Sequence, residues 1–457
     1  MSLGERLARI EADSIPAAVT ERTKLSVLDL IGVGLAAHQR GLGVEGSAWA
    51  AEQGGSGGRL IGGKAGVAVA PAAAALANGM LCHALDFDDT HPESMSHTST
   101  VVLPAALAVG QALGASGRDL LTALVVGTEV TARIGMVAPG AFHAKGFHPT
   151  SVCGVFGAVA GVATMRGFDA ATTDRALGLA GSTSSGLWAF LEEGTATKPF
   201  HAGWAAHAGV VTASLADLGA AGPAGVLTNR FGTFDALLGI DAEEAVAAQL
   251  GDLGERWETL AVSIKPYPAC HLVHAALQGG RSLLDQGATA ETVTSIEAEV
   301  PETAIEIVLE PRVRKVRPST PYEARFSLQY SLAAMLVEGS VGLDTYEPTA
   351  IADERVLGFA DRIEATVGER GSERGPFFTS LMATLADGSS LRADVPHPSG
   401  TPGHPLDREA VLAKFHANAD PVLGVARAEE LAATALTLDE LPAGQLDRLT
   451  PDPMETD

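Results

Sequence analysis

Fifteen residues, His83 to His97, gather four carboxylates (Asp86, Asp88, Asp89, Glu93), three histidines (His83, His91, His97) and Thr90 in a chain otherwise rich in alanine and glycine. Carboxylates this close repel one another, so one can hold a proton while its neighbour stays charged, and each histidine exchanges a proton near neutral pH. Proton-transfer chemistry needs this mixture. A metal reading through Asp86, Asp88 and His91 is weaker, because the D-x-D-D run lacks the rest of a calcium-loop spacing; no metal is expected. The plain alternative is a helix N-terminus capped by Asp88, Asp89 and Thr90. Capping leaves Asp86 and His97 unexplained, since both sit beside apolar Leu85 and Val101, where unpaired charge is costly.

Three further stretches carry candidates. Lys198 opens Lys198-Pro199-Phe200-His201, where a cation at a helix entrance can hold a carboxylate; an ordinary surface lysine is the competing reading. Lys265, Cys270, His271 and His274 lie where the sequence texture changes, a favoured place for ligand clefts. There His274 could equally be a buried structural residue, and Cys270 has no sequence-evident activation as a nucleophile. His148 precedes Pro149-Thr150 as a candidate acid or base, or a core histidine. Tyr330 opens a helix and either fills a core or lends a phenol. Arg312 to Arg317 reads as a solvated basic face.

The elements that must position these groups come in two textures. From Ile15 to about Val262 apolar residues recur at helical spacing, as in Leu25, Leu28, Ile31 and Leu35, and small residues such as Gly154, Gly157 and Gly161 let helix axes approach closely. After Lys265, strand-like alternation appears in Ile296 to Val300, Ile363 to Val367 and a hairpin through Asp387-Gly388, with a helix at Ser327 to Val337. A proline- and glycine-rich stretch closes this part, and Asp407 caps the helix that follows. The expected architecture is mainly α: residues 1–264 and 401–457 form one helical domain, with an α+β domain over 265–400 inserted between them. The acidic tail from about Asp439 is expected to fray.

At 457 residues the chain is long enough for two cores, and its net charge of −24 argues against nucleic-acid or anionic-membrane partners. No apolar run is long enough to span a bilayer, and the first residues lack a secretory pattern, so a cytoplasmic location is expected. Cys82, Cys153 and Cys270 are too scattered for a disulfide framework or a zinc site.

Taken together, His83-Ala-Leu-Asp-Phe-Asp-Asp-Thr-His91, Gly146-Phe-His-Pro-Thr150, the run from Gly194 to Gly209, Lys265 to His274, Glu323 to Tyr330, and Gly403-His-Pro-Leu-Asp407 with Lys414-Phe415 resemble the MmgE/PrpD family. The match spans nearly the whole chain. The resemblance implies a helical domain with a smaller α+β lid, a homodimer, no cofactor, and a small di- or tricarboxylate as substrate. It carries functional positions onto Asp86, Thr90, His97, His148, Lys198 and Tyr330, with a further family histidine at Cys270 or His271. The expected chemistry is proton transfer beside a carboxylate, with loss of water from an acid of the 2-methylcitrate type placed first. Epimerisation of an iminodisuccinate-type acid and decarboxylation of a cis-aconitate-type acid are the alternatives. A carboxylate-binding protein without catalysis is the alternative of another class.

Overall fold

The computed structural model describes residues 1–64, 66–369 and 373–453. The chain is mainly α-helical with one small sheet, and it divides into two compact units. The first comprises Met1–Trp188, Thr197–Ile264 and Asp407–Asp457; the second comprises Ala189–Ala196 and Lys265–Leu406. The short piece Ala189–Ala196 carries no change of periodicity that would mark its membership in the second unit.

In the first unit the principal helices are α1 (Ala17–Gln39), α2 (Pro71–His83), α3 (Ser99–Leu113), α4 (Gly117–Met136), α5 (Pro149–Arg166), α6 (Ala170–Ala180) and α7 (Lys198–Asp217). Several are buried nearly all round rather than along one stripe; in α3, every residue from Ser99 to Gly110 is buried. Helices of this kind pack closely only where small side chains allow it. At the crossing of α2 and α7, a Cβ placed on Gly79 would lie 2.8 Å from the Cα of Gly203, and one on Gly203 would collide with the Leu76 carbonyl. This approach fixes the end of α2, at His83, relative to the start of α7, at Lys198.

The second unit contains α8 (His274–Asp285), α9 (Leu328–Glu338) and a sheet of β1 (Val293–Val300), β2 (Ile363–Val367), β3 (Thr379–Leu385) and β4 (Ser390–Val395) in the order β2-β1-β3-β4. β1 runs parallel to β2, with Ile296 opposite Ile363, and antiparallel to β3, with Ala298 opposite Leu381. Ile296, Ala298 and Val300 point into one core with Leu332, Ala333 and Leu336 of α9, as the alternation requires, and Val293 joins them across a register shift between Val293 and Ser295. The run Arg312 to Arg317 is not a uniformly solvated face. Lys315 is buried and donates to the carbonyls of Ile307 (2.7 Å) and Phe326 (2.8 Å), and burial draws its pKa down to about 8.

The chain returns to the first unit through α10 (Arg408–Leu423) and α11 (Val425–Leu436). Asp407 caps α10 by accepting from the Ala410 amide at 2.8 Å. The tail does not fray from Asp439 onward. Asp439 pairs with Lys24 at 2.6 Å, and Leu441, Leu446 and Leu449 are buried; the last four residues lie outside the described ones. Among the described residues no helix is long and apolar enough to cross a membrane.

Candidate active site

Residues 84–98 form an irregular loop between α2 and α3, and three ties hold its backbone. Lys414 of α10 donates to the Phe87 carbonyl at 2.8 Å, lies 3.7 Å from the Phe87 ring centroid and pairs with Asp29 at 2.6 Å. Thr90 exchanges backbone hydrogen bonds with Ser263, at 2.9 and 2.6 Å. Asp89 accepts from the amide and hydroxyl of Ser99 and so caps α3, ten residues downstream. The capping expected of Asp88, Asp89 and Thr90 together therefore belongs to Asp89 alone. Burial pushes the Asp89 carboxyl up to about 6, against the lowering effect of Ser99.

The same loop aims Asp86, Asp88 and His97 inward. Asp86 has φ +51°, in the left-handed region that a residue other than glycine adopts at a cost. Its Oδ1 lies 2.6 Å from Lys198 Nζ, with Asp86 1% and Lys198 3% exposed. Lys198 is therefore no ordinary surface lysine. Its ammonium also lies 3.3 Å from His97 Nε2, which is 3.8 Å from Asp86 Oδ1. On the other edge of that ring, His97 Nδ1 lies 2.9 Å from Asp88 Oδ2. The same oxygen is 2.8 Å from His83 Nδ1.

Further histidines complete the cluster. The His83 ring packs edge-on against His97, with centroids 4.5 Å apart, and parallel to His148 at 5.6 Å. His148, at the entrance to α5, meets His201 of α7 with their Nδ1 atoms 3.3 Å apart. Burial holds His148 well below the ordinary histidine range, and the charge of Lys198 adds to this. Burial likewise lowers His83, opposed by Asp88, and takes His201 down to about 4. For Asp88, burial would raise the carboxyl, but the adjoining His83 and His97 hold it well below the carboxylate range. The cluster thus combines an ionised carboxylate, a buried Lys198–Asp86 pair and neutral imidazoles. It can fix an anionic group on a cation and move a proton beside it.

Of the sequence candidates, Asp86, His97, His148 and Lys198 come together here, with Thr90 buried in the same loop. His91 does not join them; its Nε2 faces Glu258 at 3.1 Å and its Nδ1 faces Ser94 at 3.0 Å, so the Asp86, Asp88 and His91 metal grouping does not assemble. His83, Asp88 and His97 do bring one donor atom each to within 4.8 Å of one another, a set a transition metal could use. Asp88 Oδ2 is hydrogen-bonded to His83 Nδ1 at 2.8 Å and lies 2.9 Å from His97 Nδ1. Reasoning from sequence passed over His83 and His201 and treated Asp88 as a support. For His201 the signal was available: it lies three residues after Lys198, on the same helical face.

The remaining candidates belong to the second unit. Lys265 is fully buried, and Cys270 is partly exposed, its amide donating to the Arg325 carbonyl at 3.0 Å. His271 stacks on Phe377 with centroids 4.2 Å apart, while His274 Nε2 donates to the Ala269 carbonyl at 3.1 Å, as a structural histidine does. The Tyr330 hydroxyl donates to the Thr345 carbonyl at 2.7 Å, and burial pushes the phenol up. The phenol is therefore tied into its own unit, and a proton-donor role requires that bond to open.

The MmgE/PrpD N-terminal domain matches residues 2–245 and the MmgE/PrpD C-terminal domain matches residues 267–440, so the chain belongs to the MmgE/PrpD family. Its curated relatives include a cis-aconitate decarboxylase of Homo sapiens, 30% identical over 93% of this chain and 88% of the relative. A cis-aconitate decarboxylase of Aspergillus terreus is 28% identical over 95% of this chain and 92% of the relative. One from Mus musculus is 27% identical over 94% and 89%.

Proposed function

We propose that the chain is a cofactor-independent lyase acting on a small di- or tricarboxylic acid, with decarboxylation of a cis-aconitate-type acid as its reaction. The observation that carries this reading is the buried contact of Lys198 with both Asp86 and His97. A cation held beside a histidine in a water-poor cluster fits chemistry in which charge builds on a substrate carboxylate while a proton moves at the adjoining carbon. In decarboxylation the carbon–carbon bond to one carboxylate breaks, its electron pair passes into the conjugated acid, carbon dioxide leaves, and a proton is delivered to carbon. Lys198 steadies the resulting negative charge, and His97 takes up a proton from solvent at Nε2 and passes it to that carbon. His148 is the second acid or base.

Loss of water from a 2-methylcitrate-type acid, the reaction placed first on sequence, develops the same charge and becomes the second reading. The relatives named as decarboxylases, aligned over nearly the whole chain, support ranking decarboxylation above it. The roles that the resemblance gives Thr90, Tyr330 and either Cys270 or His271 remain part of the proposal, as do the substrate-binding roles read from sequence for Lys265 and His274. So does a homodimer. Phe200, Trp204, His207, Val211, Leu215 and Leu218 follow one another at helical spacing along one face of α7 and just beyond it, with Phe200, Leu215 and Leu218 exposed, a contiguous apolar stripe suited to a second copy of the chain.

Incubating the purified protein separately with cis-aconitate and 2-methylcitrate, and following carbon dioxide and the products by proton NMR, distinguishes the two reactions. Carbon dioxide from the first acid alone supports decarboxylation. Turnover of 2-methylcitrate alone overturns it in favour of dehydration.

A further inference from the structure

We propose that Asp88 is a positioning residue that sets the tautomer of His97, with His83 anchoring the same carboxylate oxygen from the other side. An ionised carboxylate only accepts hydrogen bonds, so each ring facing Asp88 Oδ2 must present an N–H. His97 then carries its proton on Nδ1, the atom 2.9 Å from that oxygen, and His83 donates its own over 2.8 Å. The consequence falls on the far edge of His97. Its Nε2 is left with a lone pair, and that atom is the one 3.3 Å from the Lys198 ammonium. The ammonium donates to it, and His97 stands ready to accept a proton there and to return it.

The opposite tautomer would set an Nε2–H against the ammonium 3.3 Å away, two donors facing each other, with Asp86 Oδ1, 3.8 Å from Nε2, too distant to accept from it. It would also leave the Nδ1 lone pair facing a carboxylate oxygen. Both contacts repel in a fully buried setting. His83 has a reason to be a histidine in the same terms. With its Nδ1 proton on Asp88, it holds the oxygen in place, and its Nε2 has no hydrogen-bond partner among the described residues, while its ring packs on His97 and His148. The backbone of the loop is built around the same arrangement, since the His97 amide is itself fixed on Thr150 Oγ1 at 3.0 Å.

The proposal rests on His97 being the proton-transfer residue of the proposed reaction, and two measurements keep the two claims apart. Neutron diffraction from the deuterium-exchanged wild-type protein should show deuterium on Nδ1 of both His83 and His97 and none on Nε2 of His97. Deuterium on His97 Nε2 with a bare Nδ1, or a metal ion bridging the three residues, would overturn the proposal whatever the substrate. In kinetics, Asp88→Asn offers an amide that can donate to Nδ1 and so favours the wrong tautomer; kcat should fall roughly 100- to 10,000-fold with KM little changed. If that variant does not fold, His83→Gln, which keeps a side-chain donor, is compared with His83→Ala; the first should retain more kcat than the second. A folded Asp88→Asn enzyme of unchanged kcat, or equal kcat in the two His83 variants, would count against the assignment. Absence of turnover on every acid tested would defeat the functional reading and leave the neutron result to decide this one.

Discussion

Lys198 Nζ and Asp86 Oδ1 lie 2.6 Å apart with both side chains all but removed from solvent, although 112 residues separate them in the chain. Such a pair is weak evidence of stability, because the attraction must first offset the loss of hydration. Removing one partner strands a charge, and Lys198→Met should therefore destabilise the protein by about 3–5 kcal/mol. The double variant Asp86→Asn with Lys198→Met should recover much of this stability and none of the activity. Denaturant unfolding of the singles and the double measures the coupling; additive effects would mean that the pair is not formed.

The backbone at Asp86 gives a separate expectation. Asparagine tolerates the left-handed region better than alanine, so Asp86→Ala adds strain that Asp86→Asn avoids. Alanine should be the less stable replacement by about 1 kcal/mol. Equal melting temperatures for the two variants would show that the φ of +51° carries no cost.

Acid should destabilise the fold. Burial lowers His91 to about 4, His143 to about 3 and His201 to about 4 from 6.5, and pushes His83 and His148 down as well. As pH falls below 6.5 the unfolded chain binds these protons and the folded chain does not. Each such histidine then lowers stability by up to about 1.4 kcal/mol per pH unit until its folded pKa is reached. Asp89 works in the opposite sense: with its folded pKa raised from 3.8 to about 6, it takes up a proton in the folded state first and stabilises the fold as pH falls through that window. Asp29, also raised by burial, acts in the same direction as Asp89, and these two carboxyls do not offset five histidines. Thermal melts from about pH 7.5 to about pH 4.5 should show Tm falling throughout the range below about 6.5, and a flat or rising Tm there would contradict the burial of neutral imidazoles.

Close helix packing gives a local test. A methyl group at Gly203 meets the Leu76 carbonyl, part of a rigid helix, and cannot be relieved by a side-chain rotation. Gly203→Ala should cost at least about 1–3 kcal/mol and disturb the neighbouring Lys198 enough to lower activity. The matching change at Gly140, which has open space around it but φ +76°, should be milder and leave activity intact. Chemical denaturation and steady-state rates on both variants make the comparison.

The apolar stripe on α7 predicts an assembly effect. Leu215→Glu with Leu218→Glu should shift the protein to a monomer in sedimentation velocity experiments without changing the far-ultraviolet spectrum. An unchanged sedimentation coefficient for a dimeric wild type would place the interface elsewhere.

Much of this was legible in the sequence, for identifiable reasons. The strands Ile363 to Val367 and Leu391 to Val395 announced themselves by alternation, and the hairpin by Asp387-Gly388, because these signals are local. Asp86, His97, His148 and Lys198 could be named from residue type and resemblance. Their partnerships could not. Whether Asp88 or Asp89 caps a helix depends on where an irregular loop turns, and that turn is set by distant ties such as Lys414 on Phe87 and Ser263 on Thr90. Composition suggested that Lys315 was solvated and that the tail beyond Asp439 was loose; tertiary packing buried Lys315, Leu446 and Leu449 instead.

Carbon dioxide release from cis-aconitate by the wild-type protein, Lys198→Met and His97→Gln, with each variant's fold verified by circular dichroism, tests the central claim most directly. In D2O, the wild type should release carbon dioxide and give a product carrying deuterium at the protonated carbon, while both variants, folded, should lose at least about 100-fold in rate. Wild-type rates retained in either folded variant would contradict the claim that the Asp86, Lys198 and His97 cluster performs the chemistry.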